Sequence, residues 1–183
     1  QPEVRRFLLL LGNGMLRQRS NLIGRFLNKR FNTKVKDHSV ERQAIKKALL
    51  NMSKRKTGAL LVISDNFNLQ AFNESGTKIT STISQPLIES IFSKDSPMHD
   101  GAMVINHNQI YAASVILPVS AQPDIPAKLG LRHRAALGIT EVSGVAVFVV
   151  SEENGAISFA HQGDIKYRLT EEQVNNLLNQ HFT

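Results

Sequence analysis

A short, uninterrupted apolar run is the feature that most constrains the fold of this chain. Residues 59–63 are all aliphatic, and the run is bounded by Gly58 on one side and by Asp65 and Asn66 on the other. A strand with one face in water alternates apolar and polar side chains, so a continuous run of this length indicates a strand that is buried on both faces. Such burial requires helices on each side of a sheet. The run therefore predicts an α/β fold.

Helical signals surround this strand. Apolar residues at helical spacing predict a helix that starts with Ser39 as its N-cap and stops at Gly58. Three further helices are predicted to open at Ser84 with Pro86 in the first turn, at Arg132, and after a capping box formed by Thr170 and Gln173. These helices are enough to cover both faces of a sheet.

Several other apolar segments predict the remaining strands. They lie at residues 69–72, 102–105, 110–117, 145–150 and 157–160. The second and third of these flank a four-residue turn and should form a hairpin, which pairs strands antiparallel. The prediction is thus a mixed central β-sheet flanked by α-helices.

Length and composition narrow the class of protein. At 183 residues the chain can bury one substantial core. It has no cysteine, which excludes disulfides, thiolate catalysis and Cys-ligated metal centres. No stretch of about 18 residues is apolar enough to span a bilayer. The common hydrolase motifs G-x-S-x-G and H-E-x-x-H and the Walker A motif are also missing from the sequence.

The basic charge is concentrated at the start of the chain. Residues 1–60 carry 15 Lys and Arg against 3 Asp and Glu, whereas residues 61–183 carry 7 against 12. We expect a basic N-terminal arm or helix over residues 1–38, followed by one domain over residues 39–183. The charge is compatible with nucleic acid, with anionic lipid or with a solvated helix surface. Nucleic acid is disfavoured because the chain has no tryptophan and only two tyrosines with which to stack on bases.

Two short loops carry the residues best suited to chemistry. In the first, Asp100-Gly101-Ala102 sits where a loop meets a strand, and Asp100, with His99 beside it, can bind a divalent cation or orient a hydroxyl. In the second, Gly130 and Leu131 precede Arg132-His133-Arg134 at a predicted helix start. Free N–H groups, the helix dipole and guanidinium groups together suit a polyphosphate. The two motifs together indicate a site for an anionic, metal-chelated substrate.

These motifs resemble those of a known family, the diadenylate cyclase domain, and above all its membrane-anchored bacterial type. The resemblance covers about residues 40–178. It is carried by four linked motifs: His99-Asp100-Gly101-Ala102, Leu117-Pro118, Gly130 with Arg132-His133-Arg134-Ala135-Ala136, and Ser151-Glu152-Glu153-Asn154-Gly155.

The resemblance implies the diadenylate cyclase fold and the condensation of two ATP molecules into cyclic di-3′,5′-AMP with release of two pyrophosphates. It implies Mg²⁺ or Mn²⁺ held by Asp100 and His99, and catalytic roles for Asp100, Arg132, His133 and Arg134. Substrate contacts are implied for Gly101, Ala102, Leu117, Pro118, Gly130, Leu131, Ser151, Glu152 and Glu153. Since one domain offers one nucleotide site, the active species should be a face-to-face homodimer.

The resemblance also bears on location and on an alternative function. In anchored members, transmembrane helices precede a start much like residues 2–6. We therefore expect this chain to be a fragment that acts at the cytoplasmic face of the bacterial cell membrane, with its anchor missing. Leu131 replaces the family's usual threonine or serine, and Gly144 stands where aspartate is more common. The alternative is a catalytically weakened nucleotide-binding or regulatory module of the same fold.

Overall fold

The apolar run forms the central strand of a seven-stranded sheet. The computed structural model describes residues 38–64, 75–123, 125–126 and 129–182. Within these ranges the strands are β1 Ala59–Ser64, β2 Thr77–Thr82, β3 Ala102–Asn106, β4 Gln109–Val115, β5 Ala146–Val150, β6 Ile157–His161 and β7 Asp164–Lys166. The helices are α1 Ser39–Arg55, α2 Gln85–Ile91, α3 Leu131–Val142 and α4 Glu171–His181.

The sheet is mixed, as predicted. Its strand order is β2-β4-β3-β1-β5-β6-β7. β1 runs parallel to β3 and antiparallel to β5, and the remaining neighbours are antiparallel. The register places Leu61 opposite Met103 on one side and opposite Phe148 on the other. The central position of β1 explains its composition, because every residue of the strand is buried.

Alternate residues of β1 belong to two different core layers. Leu61 and Ile63 pack in a cluster with the buried residues of α1, α2 and α4, whereas Leu60 and Val62 pack in a cluster with Ala136 and Ile139 of α3. Three helices thus cover one face of the sheet and α3 covers the other. The prediction of an α/β fold with helices on both faces is confirmed.

The predicted helices are present, with shifted ends. The N-cap of α1 is His38 and not Ser39, which is already helical. Its C-cap is Lys56 in the left-handed conformation (φ 53°), so the prediction that Gly58 stops the helix is wrong. α3 begins at Leu131, one residue earlier than predicted, with Gly130 as its N-cap. The capping box of α4 is confirmed, with Thr170 Oγ accepting from the backbone N–H of Gln173 at 3.2 Å.

The strands show similar small differences. The predicted hairpin is formed by β3 and β4, and its turn residues His107 and Asn108 both have positive φ, as a two-residue hairpin turn requires. β4 ends at Val115 instead of residue 117. The edge strands β2 and β7 were not predicted. The predicted strand at residues 69–72 and the proposed arm at residues 1–38, apart from His38, lie outside the described residues.

Membrane crossing is not supported by any described helix. None of the helices in the described ranges combines the length and the apolar character needed to span a bilayer.

Gly155 and Gly163 offer a matched test of backbone packing. Both have positive φ, 76° and 77°. A Cβ on Gly155 would clash with the backbone carbonyl oxygen of Ser53. A Cβ on Gly163 would have the Glu141 side chain as its nearest neighbour, at 3.5 Å. Gly163→Ala should cost only the left-handed strain of about 1–2 kcal/mol. Gly155→Ala should lower the free energy of unfolding by about 1–3 kcal/mol more than Gly163→Ala does, because the added Cβ clashes with backbone. Urea unfolding midpoints measure both values, and equal losses would contradict the packing argument.

Candidate active site

A cleft of about 790 Å³ brings the two predicted motifs together. Its lining includes His99, Asp100 and Gly101 from the loop before β3, and Gly130, Leu131, Arg132 and His133 from the start of α3. Leu117 after β4, Val150 at the end of β5 and residues 151–153 after β5 complete most of the wall. The carboxylate-bearing turn and the arginine-bearing helix start therefore share one cavity.

The sheet topology explains why these segments meet. Ala102 of β3 pairs with Val115 of β4, and Ala59 of β1 pairs with Val150 of β5. The parallel strands β1 and β3 begin at this end of the sheet, while the antiparallel strands β4 and β5 finish there. In α/β folds ligands are expected at the carboxyl ends of parallel strands. Here the cleft lies at their amino ends.

The turn before β3 requires glycine at position 101. Gly101 has φ of +95°, and a Cβ there would lie 2.8 Å from the carbonyl carbon of Ser114 and 2.9 Å from the carbonyl oxygen of Val115. The turn is thus pressed against β4. The Asp100 side chain, which precedes it, is 89% exposed at the cleft. Asp100 is consequently free to contact a ligand.

His99 is held with one ring nitrogen available. Its Nδ1 lies 2.6 Å from the carbonyl oxygen of Ser96. A carbonyl oxygen only accepts, so Nδ1 carries the proton and Nε2 of the neutral ring keeps its lone pair. Nε2 is 3.7 Å from Asp100 Oδ1. Two lone-pair donors thus face the same part of the cleft.

This donor pair fits a divalent cation that is bound mainly by its substrate. The described residues contain no group of three or more His, Cys, Asp or Glu that could hold a metal ion alone. Mg²⁺ is usually bound through one or two carboxylates together with substrate phosphates and water. Asp100 and His99 suit that arrangement better than a permanent all-protein metal site.

Arg132 supplies a positive charge to the same cleft. Its Nη1 lies 2.9 Å from Glu152 Oε2, and the Arg132 side chain is 23% exposed. The residue is in the first turn of α3, where backbone N–H groups and the helix dipole also favour anions. The combination is suited to binding a phosphate.

His133 has a different environment from the arginine beside it. It is buried, and its Nε2 is 3.2 Å from Oγ of the fully buried Ser158. Burial lowers the pKa of His133 below the ordinary histidine value. The ring is therefore neutral near pH 7 and adds no positive charge to the cleft.

Three of the predicted site residues lie outside the cleft lining. Ala102 is fully buried in the core cluster that packs on α3. Neither Arg134 nor Pro118 is among the lining residues. Arg134 lies in α3, and Pro118 lies in the loop that packs along this helix.

The loop of residues 118–120 is fastened along α3 at several points. The backbone N–H of Ser120 donates to the carbonyl oxygen of Arg134 at 3.0 Å. The Ser120 hydroxyl donates to the carboxylate of Glu141. A Cβ on Gly138 would strike the backbone of Pro118 and Ser120, so glycine is needed for this close approach. The loop and the helix form one unit.

The acidic turn after β5 is ordered by its own serine. Ser151 Oγ accepts from the backbone N–H of Glu153 at 3.3 Å and of Asn154 at 3.5 Å. The hydroxyl thus shapes the turn that carries Glu152 and Glu153 into the cleft lining. Ser151 also lines the cleft.

Sequence reasoning missed several lining residues. Lys94 lines the cleft and was not among the predicted site residues. Ile116 and Val119 line it while remaining 70% and 53% exposed, and predicted Leu131 is 78% exposed. Ile116 lay inside the strand predicted over residues 110–117, and only the earlier end of β4 at Val115 places it outside the strand. Lys94 carried no signal of its own in the sequence.

Comparisons with known proteins find matches over most of the chain. The family model described as the DisA bacterial checkpoint controller nucleotide-binding domain (DAC) matches residues 46–165. Over its whole length the chain is 39% identical to cyclic di-AMP synthase CdaA from Bacillus subtilis, of which it spans 63%. Over 97% of its length it is 36% identical to a diadenylate cyclase from Listeria monocytogenes, of which it spans 62%.

Solved structures with the same fold are also similar in sequence. A double mutant of DacA from Staphylococcus aureus matches with a TM-score of 0.78 and 41% identity, over 80% of this chain and 98% of that one. A protein described as a hypothetical membrane spanning protein from Bacillus cereus matches with a TM-score of 0.67 and 35% identity, over 81% and 72%.

The buried His133 should make stability depend on pH. Because its pKa is lowered in the folded state, the unfolded chain takes up the proton first as the pH falls below about 6.5. The melting temperature should therefore fall with pH from this point downward. His133→Gln should reduce the slope without abolishing it, since burial also lowers the pKa of His181. The exposed turn residue provides the control His107→Asn, which should keep the wild-type slope in the same pH series. An unchanged slope in His133→Gln would contradict the assignment.

Proposed function

The chain belongs to the diadenylate cyclase (DAC) domain family, and on that premise we propose that it condenses two ATP molecules into cyclic di-3′,5′-AMP with release of two pyrophosphates. The observation that carries this proposal is the convergence of Asp100 and Arg132 on one cleft. Its volume of about 790 Å³ is within the range of roughly 300–1,000 Å³ that small-molecule sites occupy.

The reaction forms two phosphodiester bonds and breaks two phosphoanhydride bonds. The 3′-hydroxyl of each ATP attacks the α-phosphorus of the other, in line with the departing pyrophosphate, and each hydroxyl gives up its proton. Catalysis of this kind consists mainly of positioning and of stabilising charge. We assign Asp100 to the attacking hydroxyl, because its exposed carboxylate can accept the hydrogen bond and hold the proton.

Positive charge for the phosphates comes from the start of α3. Arg132 binds phosphate oxygens and stabilises the charge that develops on the leaving pyrophosphate. The N–H groups after Gly130, including that of Leu131, belong to the first turn and add the helix-dipole contribution. His133, which stays neutral, supports this turn through its hydrogen bond to Ser158. Arg134 is outside the cleft lining and contributes indirectly. Its backbone carbonyl oxygen accepts the hydrogen bond from Ser120 that holds residues 118–120 on α3.

The other lining residues are assigned to the remainder of the nucleotide. Leu117 offers an apolar surface in the cleft lining for the adenine base. Ala102 packs in the same core cluster as Leu117, and Pro118 follows it directly in the chain. Ser151, Glu152 and Glu153 form the wall next to Arg132. Asp100 and His99 would hold Mg²⁺ or Mn²⁺, which when bound neutralises phosphate charge.

One cleft holds one nucleotide, so ring closure requires a second copy of the chain. We propose a face-to-face homodimer. Three exposed apolar residues support it, since Ile116, Val119 and Leu131 all lie at the cleft and would lose contact with water there. Burying apolar surface of this kind is the general driving force for association.

The proposal extends to location. The chain spans about 63% of its Bacillus subtilis relative, and a similar solved structure is described as membrane spanning. The excess of basic residues over positions 1–60 is what the cytoplasmic side of a membrane favours. We therefore place the domain at the cytoplasmic face of the bacterial cell membrane, anchored through helices outside this sequence.

Asp100→Asn tests the catalytic assignment. The variant keeps the size of the side chain and removes the charge, so formation of cyclic di-AMP should fall by about 100-fold or more. Product and pyrophosphate are measured by mass spectrometry after incubation with ATP and either Mg²⁺ or Mn²⁺. Asp95→Asn, at an exposed residue five positions earlier, is the matched control and should retain activity. Wild-type activity in Asp100→Asn would contradict the role of Asp100.

The dependence on protein concentration tests the dimer and the alternative function. Specific activity should rise with protein concentration until the dimer is saturated. Activity that is independent of concentration down to the monomer range would contradict the face-to-face site. Tight binding of ATP with no pyrophosphate release at any concentration would favour a catalytically weakened nucleotide-binding module. The residue that motivates this alternative is the exposed Leu131, which replaces the family's usual threonine or serine.

A further inference from the structure

Gly58 lies against the guanidinium group of Arg132. It is a buried residue between α1 and β1. A Cβ at this position would lie 2.9 Å from both Cζ and Nη1 of Arg132, and 3.0 Å from Oε2 of Glu152. Such separations are too short for real carbon contacts, so any larger residue would displace the ion pair.

The backbone of Gly58 does not itself require glycine. Among the described residues the glycines with positive φ are Gly101, Gly155 and Gly163. The atoms that a Cβ would meet at Gly58 are the ends of two flexible side chains and not backbone. A larger residue can therefore be accommodated by the fold if Arg132 moves away. The space beside Gly58 is therefore what allows the Arg132 guanidinium to occupy its observed position.

Glu152 restrains the same guanidinium from another side. Its carboxylate is 57% exposed and Arg132 is 23% exposed, and partly exposed pairs of this kind add little to stability. Orientation is the larger effect, because the planar guanidinium has five N–H donors in a rigid fork. With Nη1 bonded to Glu152, the other donors remain available for a phosphate.

We propose that Gly58 and Glu152 are positioning residues for Arg132: the missing side chain of Gly58 leaves the space for the guanidinium, and the Glu152 carboxylate orients it. Arg132 is then in place before a nucleotide enters and needs no rearrangement when charge develops on the leaving group. The role of the phosphate in this inference rests on the proposed function. The arrangement of the three residues in the free protein does not.

A double-mutant cycle separates this positioning role from a structural one. Gly58→Ala should lower kcat by about 100-fold, the size of effect that a misplacement of about 1 Å produces. In an Arg132→Ala background the same substitution should cause no further loss, because its target is gone. Gly144→Ala, at an exposed glycine where an added Cβ meets nothing within 4 Å, should keep wild-type activity and stability.

Glu152→Gln tests the other half of the proposal. Removing this carboxylate frees the guanidinium and also reduces repulsion of the triphosphate. We therefore expect kcat to fall by about tenfold while KM for ATP changes by less than about threefold. Glu152→Asp should recover part of the lost kcat. Wild-type kcat in Glu152→Gln, with or without a tenfold rise in KM for ATP, would overturn the role of Glu152.

A readout without turnover distinguishes failure of this inference from failure of the proposed function. The ¹⁵N–¹H signal of the Arg132 guanidinium, assigned with Arg132→Lys, should show a restrained side chain in the nucleotide-free protein. It should become motionally averaged in Glu152→Gln and shift in Gly58→Ala. If the wild type makes no cyclic di-AMP but these changes occur, the proposed function fails and the positioning stands. If Gly58→Ala unfolds the protein, or leaves both kcat and the signal unchanged, the role of Gly58 is overturned.

Discussion

The burial of β1 on both faces is the constraint on which the rest of the structure depends. Leu60 and Val62 contribute to one core layer and Leu61 and Ile63 to the other, so this strand can only lie in the middle of a covered sheet. Its neighbours then follow from register: β3 runs with it and β5 runs against it. This choice of directions brings the loop before β3 and the turn after β5 to one end. The cleft is therefore a consequence of how the core is built.

The periodic segments of the sequence predicted most of this architecture, because burial leaves a direct imprint on composition. The edge strand β2, TKITST, has no buried residue and thus no apolar pattern to detect. β7 is only three residues long. The end of α1 was misplaced because Lys56 adopts a left-handed conformation that usually favours glycine. Errors concentrate where local conformation is decided by neighbours and not by the residue itself.

The candidate site was predicted less evenly. Asp100, in a turn, and Arg132, at a helix start, were selected because their side chains can bind a metal ion and a phosphate, and both line one cleft. The sequence could not distinguish His133 from the arginines beside it, since its buried contact is Ser158, 25 residues away. The pairing of Arg132 with Glu152 and the space at Gly58 depend equally on tertiary contacts. Adjacent letters in a motif can therefore have unlike physical roles.

The fastening of residues 118–120 along α3 has a consequence for selectivity. The strip that follows Leu117 and the helix that presents Arg132 are joined through Ser120, Glu141 and the bare backbone of Gly138. The distance between this strip and the helix is therefore fixed, because increasing it would break several contacts at once. A ligand can contact the strip and Arg132 together only if its length matches this fixed distance. Discrimination of this kind needs no dedicated hydrogen bond to reject a ligand that is too short.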